Sequence, residues 1–206
     1  LPIVEVLPEL TDALTHGRRV VLEAPPGAGK STLVPLTLLD AAWRNDGRIL
    51  MLEPRRIAAR AVATRMAALL GETPGARVGY RTRLETRVGP ATCLEVVTEG
   101  ILTRMLQHDA ALEGVACVVF DEFHERNLQG GLGLALALDC QRHLRADLRL
   151  LVMSATLDAE ALARVLDDAR FVRAPGRMFD VQTFFASAPA SGPPLAPASL
   201  TTQRIL

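Results

Sequence analysis

The sequence lacks the features that would carry it into or across a membrane. No apolar run approaches the ~18 residues of a membrane span, and the N-terminus shows no basic start followed by an apolar block. No export signal is visible, and a cytoplasmic protein is expected. Neither charge sign is in excess, since 23 basic residues stand against 23 acidic ones. That balance excludes a whole-molecule cationic field as the means of holding nucleic acid. Any nucleic-acid surface has to be local. Cysteine is scarce as well: Cys93, Cys117 and Cys140 are odd in number and match no paired metal spacing. Two of them, Cys93 and Cys117, lie in apolar runs, so buried, reduced thiols are the simplest expectation.

What is present reads as one α/β domain with a short appendage, which 206 residues can accommodate. Short apolar runs alternate with longer amphipathic stretches. The expected strands are 19–24, 48–52, 93–97, 117–120 and 149–153, each apolar nearly throughout, as strands buried on both faces of a parallel sheet should be. Helices are expected near 30–42, 55–70, 100–107, 128–144 and 158–166. This alternation predicts a doubly wound, mostly parallel twisted sheet with helices on both faces, whose ligands bind at the carboxyl ends of the strands. Residues 186–199 form a Pro/Ala/Ser linker that cannot build a core. No internal repeat is found.

The first strand runs into Ala24-Pro25-Pro26-Gly27-Ala28-Gly29-Lys30-Ser31-Thr32. A backbone bent around phosphate oxygens needs inward-pointing N–H groups backed by a helix N-terminus. Gly27 and Gly29 can adopt the required conformations. Lys30 offers a point charge to the β- and γ-phosphates, and the Ser31 hydroxyl can ligate Mg²⁺. Pro25 and Pro26 donate nothing, so Gly27 through Ser31 must supply the cradle. A glycine-rich turn with an incidental lysine would look similar, but here a strand precedes the loop and a helix follows it.

The strand at 117–120 leads into Asp121-Glu122-Phe123-His124-Glu125-Arg126. Adjacent carboxylates at the end of a buried strand are costly unless a cation or a reaction uses them. The natural division gives Asp121, with Ser31, the Mg²⁺ shell, while Glu122 polarises the attacking water beside the ion. A solvated helix cap is the bland alternative. His124 has three readings: contact with the γ-phosphate, relay of its state, or a bond to a nearby acceptor. Metal ligation by His124 is disfavoured because no second His or Cys stands at suitable spacing.

With these two motifs in place, the sequence resembles the DExH-box helicases of superfamily 2, in the DEAH group, and within it the bacterial HrpB-like branch. The phosphate loop has that superfamily's Ala-x-x-Gly-x-Gly-Lys-Ser/Thr form, and Asp121-Glu122-Phe123-His124 departs from the usual tetrad only at Phe123. Glu53-Pro54-Arg55-Arg56 is similar to the family's first nucleic-acid-contact motif, Val78–Glu85 to its Val-Gly-Tyr turn, and Thr98-Glu99-Gly100 to its second contact motif. Ser154-Ala155-Thr156 resembles the coupling motif, and Ala174-Pro175-Gly176-Arg177 the exit toward a second lobe. The ordered set covers the chain to about residue 185.

The resemblance implies a RecA-like P-loop domain over 1–185. A linker and the start of a truncated second RecA-like domain would then occupy 186–206. It implies ATP or ADP with Mg²⁺ as cofactors and single-stranded nucleic acid as partner, with RNA favoured over DNA. Arg55 and Arg56 follow a strand end, where paired cations can grip a backbone phosphate. Thr98 and Gly100 suit a helix N-terminus that binds another. Carried over from the family, Arg65 is a candidate to stack on the nucleotide base and Arg83 a candidate strand contact; either could equally be a surface arginine. Ser154 and Thr156 either couple the acidic motif to the strand or cap the following helix. No Gln-Arg-x-Gly-Arg-x-Gly-Arg stretch occurs, so a second lobe would have to supply the arginine finger. The isolated chain is therefore expected to bind nucleotide but hydrolyse it very slowly. Two rival readings remain: a P-loop phosphotransferase, which leaves Arg55, Arg56 and Ser154–Thr156 unexplained, and a non-enzymatic nucleotide switch, against which Glu122 argues.

Overall fold

Among the described residues eight strands form one sheet, in the spatial order Thr86–Arg87, Val78–Arg81, Leu94–Thr98, Arg48–Glu53, Val115–Phe120, Arg149–Ser154, Arg19–Glu23 and Arg170–Arg173. The computed structural model describes residues 1–123, 128–155, 162, 166, 167 and 169–175. All of them fall within one compact unit, Leu1–Gly176. The strands are β1 (Arg19–Glu23), β2 (Arg48–Glu53), β3 (Val78–Arg81), β4 (Thr86–Arg87), β5 (Leu94–Thr98), β6 (Val115–Phe120), β7 (Arg149–Ser154) and β8 (Arg170–Arg173). Each neighbouring pair is parallel except β3 with β4, which is antiparallel. The helices are α1 (Leu7–His16), α2 (Lys30–Thr37), α3 (Arg56–Leu69), α4 (Glu99–His108) and α5 (Leu128–His143).

The apolar runs fold as strands because both of their faces are covered. On one face Val20, Leu22, Met51 and Val119 pack with Leu14 of α1, Val34 of α2 and Ala63 of α3. On the other, Val21, Leu50, Val118 and Val152 pack with Leu102 of α4 and Leu138 of α5. Helices on both faces of a mostly parallel sheet are what the alternation predicted.

The five expected strands are present with ends shifted by at most about two residues, and α3, α4 and α5 lie where helices were expected. The helix expected over 30–42 is shorter. It ends at Thr37 with Pro35 inside it, and 3-10 turns at Leu38–Asp40 and Ala42–Arg44 replace its last part. Three strands (β3, β4 and β8), the leading helix α1 and a 3-10 turn at Pro2–Val6 are additions to the expected set. The helix expected at 158–166 and the linker at 186–206 lie outside the described residues, apart from isolated positions of the former.

Candidate nucleotide and strand-binding site

The sheet order sets the chemistry out along one edge. At the carboxyl ends β5 delivers Thr98, β2 Glu53, β6 Asp121, β7 Ser154 and β1 the loop that begins at Ala24. β7 lies between β6 and β1, so the acidic motif and the phosphate loop rise on either side of Ser154.

The loop is held at its base by the Ala24 N–H donating to the Ser154 carbonyl at 3.0 Å, and by the Ala28 N–H donating to Pro25 at 3.2 Å. Gly27 (φ 75) and Gly29 (φ 93) both take left-handed backbone, which a side chain disfavours. Gly29 then caps α2, and the Thr32 hydroxyl donates to its carbonyl at 3.3 Å. Lys30 and Ser31 thus open a helix whose first N–H groups have no intrahelical acceptor, as an anion requires.

The acidic motif reaches the loop directly. Lys30, 4% exposed, donates to Glu122 Oε1 at 2.8 Å. Ser31 lies beside the Asp121 carboxyl. Glu122 donates its backbone N–H to Asp121 Oδ1 at 2.8 Å and sits at φ 49, an uncommon conformation for a residue with a side chain. The structure therefore brings Lys30, Ser31, Asp121 and Glu122 together. Burial, above all, holds the Asp121 carboxyl above the usual carboxylate range.

One acid in this cluster has no role in the sequence reading. Glu53, quoted there only as part of a strand-contact motif, is buried at the end of β2 beside Asp121. Burial first, then the neighbouring Asp121, pushes its carboxyl up to about 9. The signal was available: an acid ending a buried strand, the same logic that singled out Asp121. A further feature of composition also went unused. Lys30 is the single lysine of the sequence, and arginine carries every other basic charge.

Whether a magnesium ion suits these residues can be judged from the oxygens. Glu53 Oε1 and Asp121 Oδ2 are buried and have no hydrogen-bond donor among the described residues. No group of three or more His, Cys, Asp or Glu side chains among the described residues could hold a metal by itself. An ion that takes one or two protein oxygens, waters and phosphates fits both facts.

The strand-contact candidates lie farther along the same edge. Arg55 and Arg56 are exposed where α3 begins, Arg55 being its N-cap. Thr98 caps α4 without using its side chain, and a Cβ at Gly100 would meet open space. A cavity of about 220 Å³ lies between Pro54, Glu99, Asp121 and Glu122, so the second contact motif and the acidic pair share one wall. Arg65 is exposed on α3 and lines a groove of about 740 Å³ with Arg56, Arg60 and Leu84; no phosphate-loop residue is in that lining. Arg83 is exposed next to Leu84. His124 and Thr156 lie outside the described residues.

A strand-terminal phosphate loop facing an acidic pair on a neighbouring parallel strand defines a P-loop nucleotide-binding α/β domain. The chain belongs to the DEAD/DEAH box helicases, whose family profile matches residues 5–165. It is 56% identical over 190 residues to the ATP-dependent RNA helicase HrpB of Escherichia coli (strain K12), covering 92% of this chain and 23% of that protein. It is 37% identical to the ATP-dependent RNA helicase dhx29 of Xenopus laevis, over 85% of this chain and 14% of that one. A crystal structure of the Escherichia coli DEAH/RHA helicase HrpB superposes with a TM-score of 0.84 at 55% identity, over 92% of this chain and 24% of the other. The chain therefore spans about a quarter or less of the length of these relatives.

Proposed function

We propose that this chain is the ATP-binding lobe of an ATP-dependent RNA helicase that couples Mg-ATP hydrolysis to movement along a strand. The observation that carries this reading is the meeting of Lys30 with Glu122 at 2.8 Å and of Ser31 with Asp121. In it, Gly27, Ala28, Gly29, Lys30, Ser31 and Thr32 receive the phosphates through backbone N–H groups and the Lys30 ammonium. Ser31 and Asp121, with Glu122 beside them, would hold Mg²⁺. When bound, the ion neutralises charge on the phosphates and polarises the phosphoryl group. Lys30 exchanges Glu122 for phosphate oxygens. That exchange releases the Glu122 carboxylate to orient a water and take its proton.

Arg55, Arg56, Arg83, Thr98 and Gly100 would grip the strand through its backbone, which suits a motor that steps along any sequence. RNA is favoured over DNA because the relatives are named RNA helicases. His124 is assigned to the γ-phosphate side, Arg65 to the base, and Ser154 with Thr156 to the link between acidic motif and strand. Residues 1–185 form the lobe, and 186–206 lead toward a second one. That second lobe completes the catalytic site, so the chain alone binds nucleotide and turns it over very slowly. No described helix is long and apolar enough to cross a membrane, and we place the protein in the cytoplasm.

The test is a titration of a fluorescent ADP analogue with Mg²⁺ against the chain and its Lys30→Ala variant, repeated with single-stranded RNA. Saturable binding that the variant loses, shifted by RNA, supports the assignment. Binding indifferent to Lys30→Ala would make the loop a structural turn and sink it.

A further inference from the structure

Glu53 occupies a place where the fold alone would favour an apolar side chain. Ile49, Leu50, Met51 and Leu52 precede it on β2, all buried, and Glu53 itself is 2% exposed. The neighbouring strand brings Asp121 alongside, its N–H donating to the Leu52 carbonyl at 3.1 Å. The carboxyls of Glu53 and Asp121 are neighbours at the ends of paired strands. Glu53 Oε1 and Asp121 Oδ2 find no donor among the described residues. A buried acceptor left in this state costs about 1–3 kcal/mol, and more when charged. Lys30 is the cation at this cluster, and its ammonium already donates to Glu122.

O–H donors in this position would satisfy both orphaned oxygens. Magnesium keeps several of its waters when it binds through one or two protein oxygens, and those waters are strong donors. We propose that Glu53 is an outer carboxylate of the magnesium site: it accepts a hydrogen bond from a water of the ion's shell and, through that shell, fixes the Asp121 carboxylate. The assignment rests on the nucleotide and magnesium reading given above. It explains an acid buried at the end of β2, one strand away from the phosphate loop's partner acids, where no strand contact could use it.

The experiment measures Mn²⁺ affinity of the protein–ADP complex by electron paramagnetic resonance, with ADP affinity in EDTA measured in parallel. Wild type is compared with Glu53→Leu and Glu53→Gln. Removing an outer partner of a metal typically weakens its binding by about 10–100-fold. Glu53→Leu should show a loss of that size while ADP affinity in EDTA and melting temperature hold. Glu53→Gln keeps an acceptor of the same shape without the charge, and should weaken Mn²⁺ by less. Unchanged Mn²⁺ affinity in Glu53→Leu overturns the proposal, as does a parallel loss of metal-free ADP binding, which marks a merely structural residue. If Glu53→Leu does not fold, Glu53→Gln decides, and wild-type Mn²⁺ affinity in it overturns the proposal. Wild type that binds ADP no better with Mn²⁺ than in EDTA would instead strike the underlying reading, an outcome separate from any difference between variants.

Discussion

Lys30 and Glu122 hold each other, and in the proposed function each has a second employment in hydrolysis. Glu122→Gln removes the proton acceptor but keeps a side chain of the same size against the lysine. Nucleotide binding is expected to persist, while phosphate release in the protein with both lobes falls by about 10²–10⁴-fold. Loss of binding instead would show that the ion pair builds the loop. The thiols offer a check of a different kind. Cys117 is fully buried, and burial pushes its thiol up to about 12. Cys93 is half-buried. Alkylation followed by mass spectrometry should mark Cys93 first and leave Cys117 untouched until the fold opens; early labelling of Cys117 would contradict the packing. At this scale the sequence was most readable where a residue type is costly without a function. Asp121 and Glu122 stood out for that reason and Lys30 through its loop, and the structure sets Lys30 against Glu122. Glu53 is costly in the same way, but its neighbours Pro54, Arg55 and Arg56 drew it into a strand-contact reading.

Among the connections, the turn between α5 and β7 depends on one arginine. Arg145 donates to the carbonyls of Ala111, Leu112 and Val115, at 3.1, 3.0 and 3.0 Å, and so ties this turn to the start of β6. Arg145→Met keeps much of the stem and takes the guanidinium from those carbonyls, of which Leu112 keeps the Val115 N–H. A loss of about 1–3 kcal/mol is expected, read from denaturant unfolding; no change would mean that water replaces the arginine. The same guanidinium holds the Asp147 carboxyl well below the usual range, at about 2. A depressed folded value means that this pair stabilises the protein above the ordinary value of 3.8 and ceases to do so as the pH falls toward about 2. Asp147 is two-thirds exposed, so the contribution is at most about 1 kcal/mol. Asp147→Asn should therefore lower stability slightly at pH 6 and by much less at pH 2, and a difference of undiminished size at pH 2 would refute the charge account. Elements were legible where burial on both faces made them continuous apolar runs, as in β1, β2, β5, β6 and β7. They were not elsewhere: β3 is short and interrupted by Gly79, both residues of β4 are exposed, and β8 buries Val172 alone. α1 carries Pro8 in its first turn, a residue that punctuates a sequence yet suits that position.

Over the whole molecule charge sums to zero, and still the proposed function demands a polyanion as partner. The two are compatible if the cations are concentrated where the strand passes. Arg56 and Arg60 line one groove on α3, with a single acid, Glu85, in its lining, and Arg55 stands at the helix start beside them. Such a surface binds through counterion release, so affinity for single-stranded RNA should fall with salt along a log–log slope of about −0.7 per phosphate contacted. Arg55→Ala and Arg56→Ala should each weaken binding for any sequence tested and flatten the slope by about 0.7. Arg18→Ala, on the opposite edge of the sheet near Ala146, should leave both the affinity and the slope unchanged. Fluorescence anisotropy over a range of KCl concentrations measures all three. Should Arg18→Ala flatten the slope as much as the other two, the strand would be held by diffuse charge, which a molecule of zero net charge supplies poorly, and the local groove would lose its assigned role. Should Arg55→Ala and Arg56→Ala change affinity without changing the slope, the arginines would be supporting the loop at Glu53 and Pro54 rather than touching phosphate.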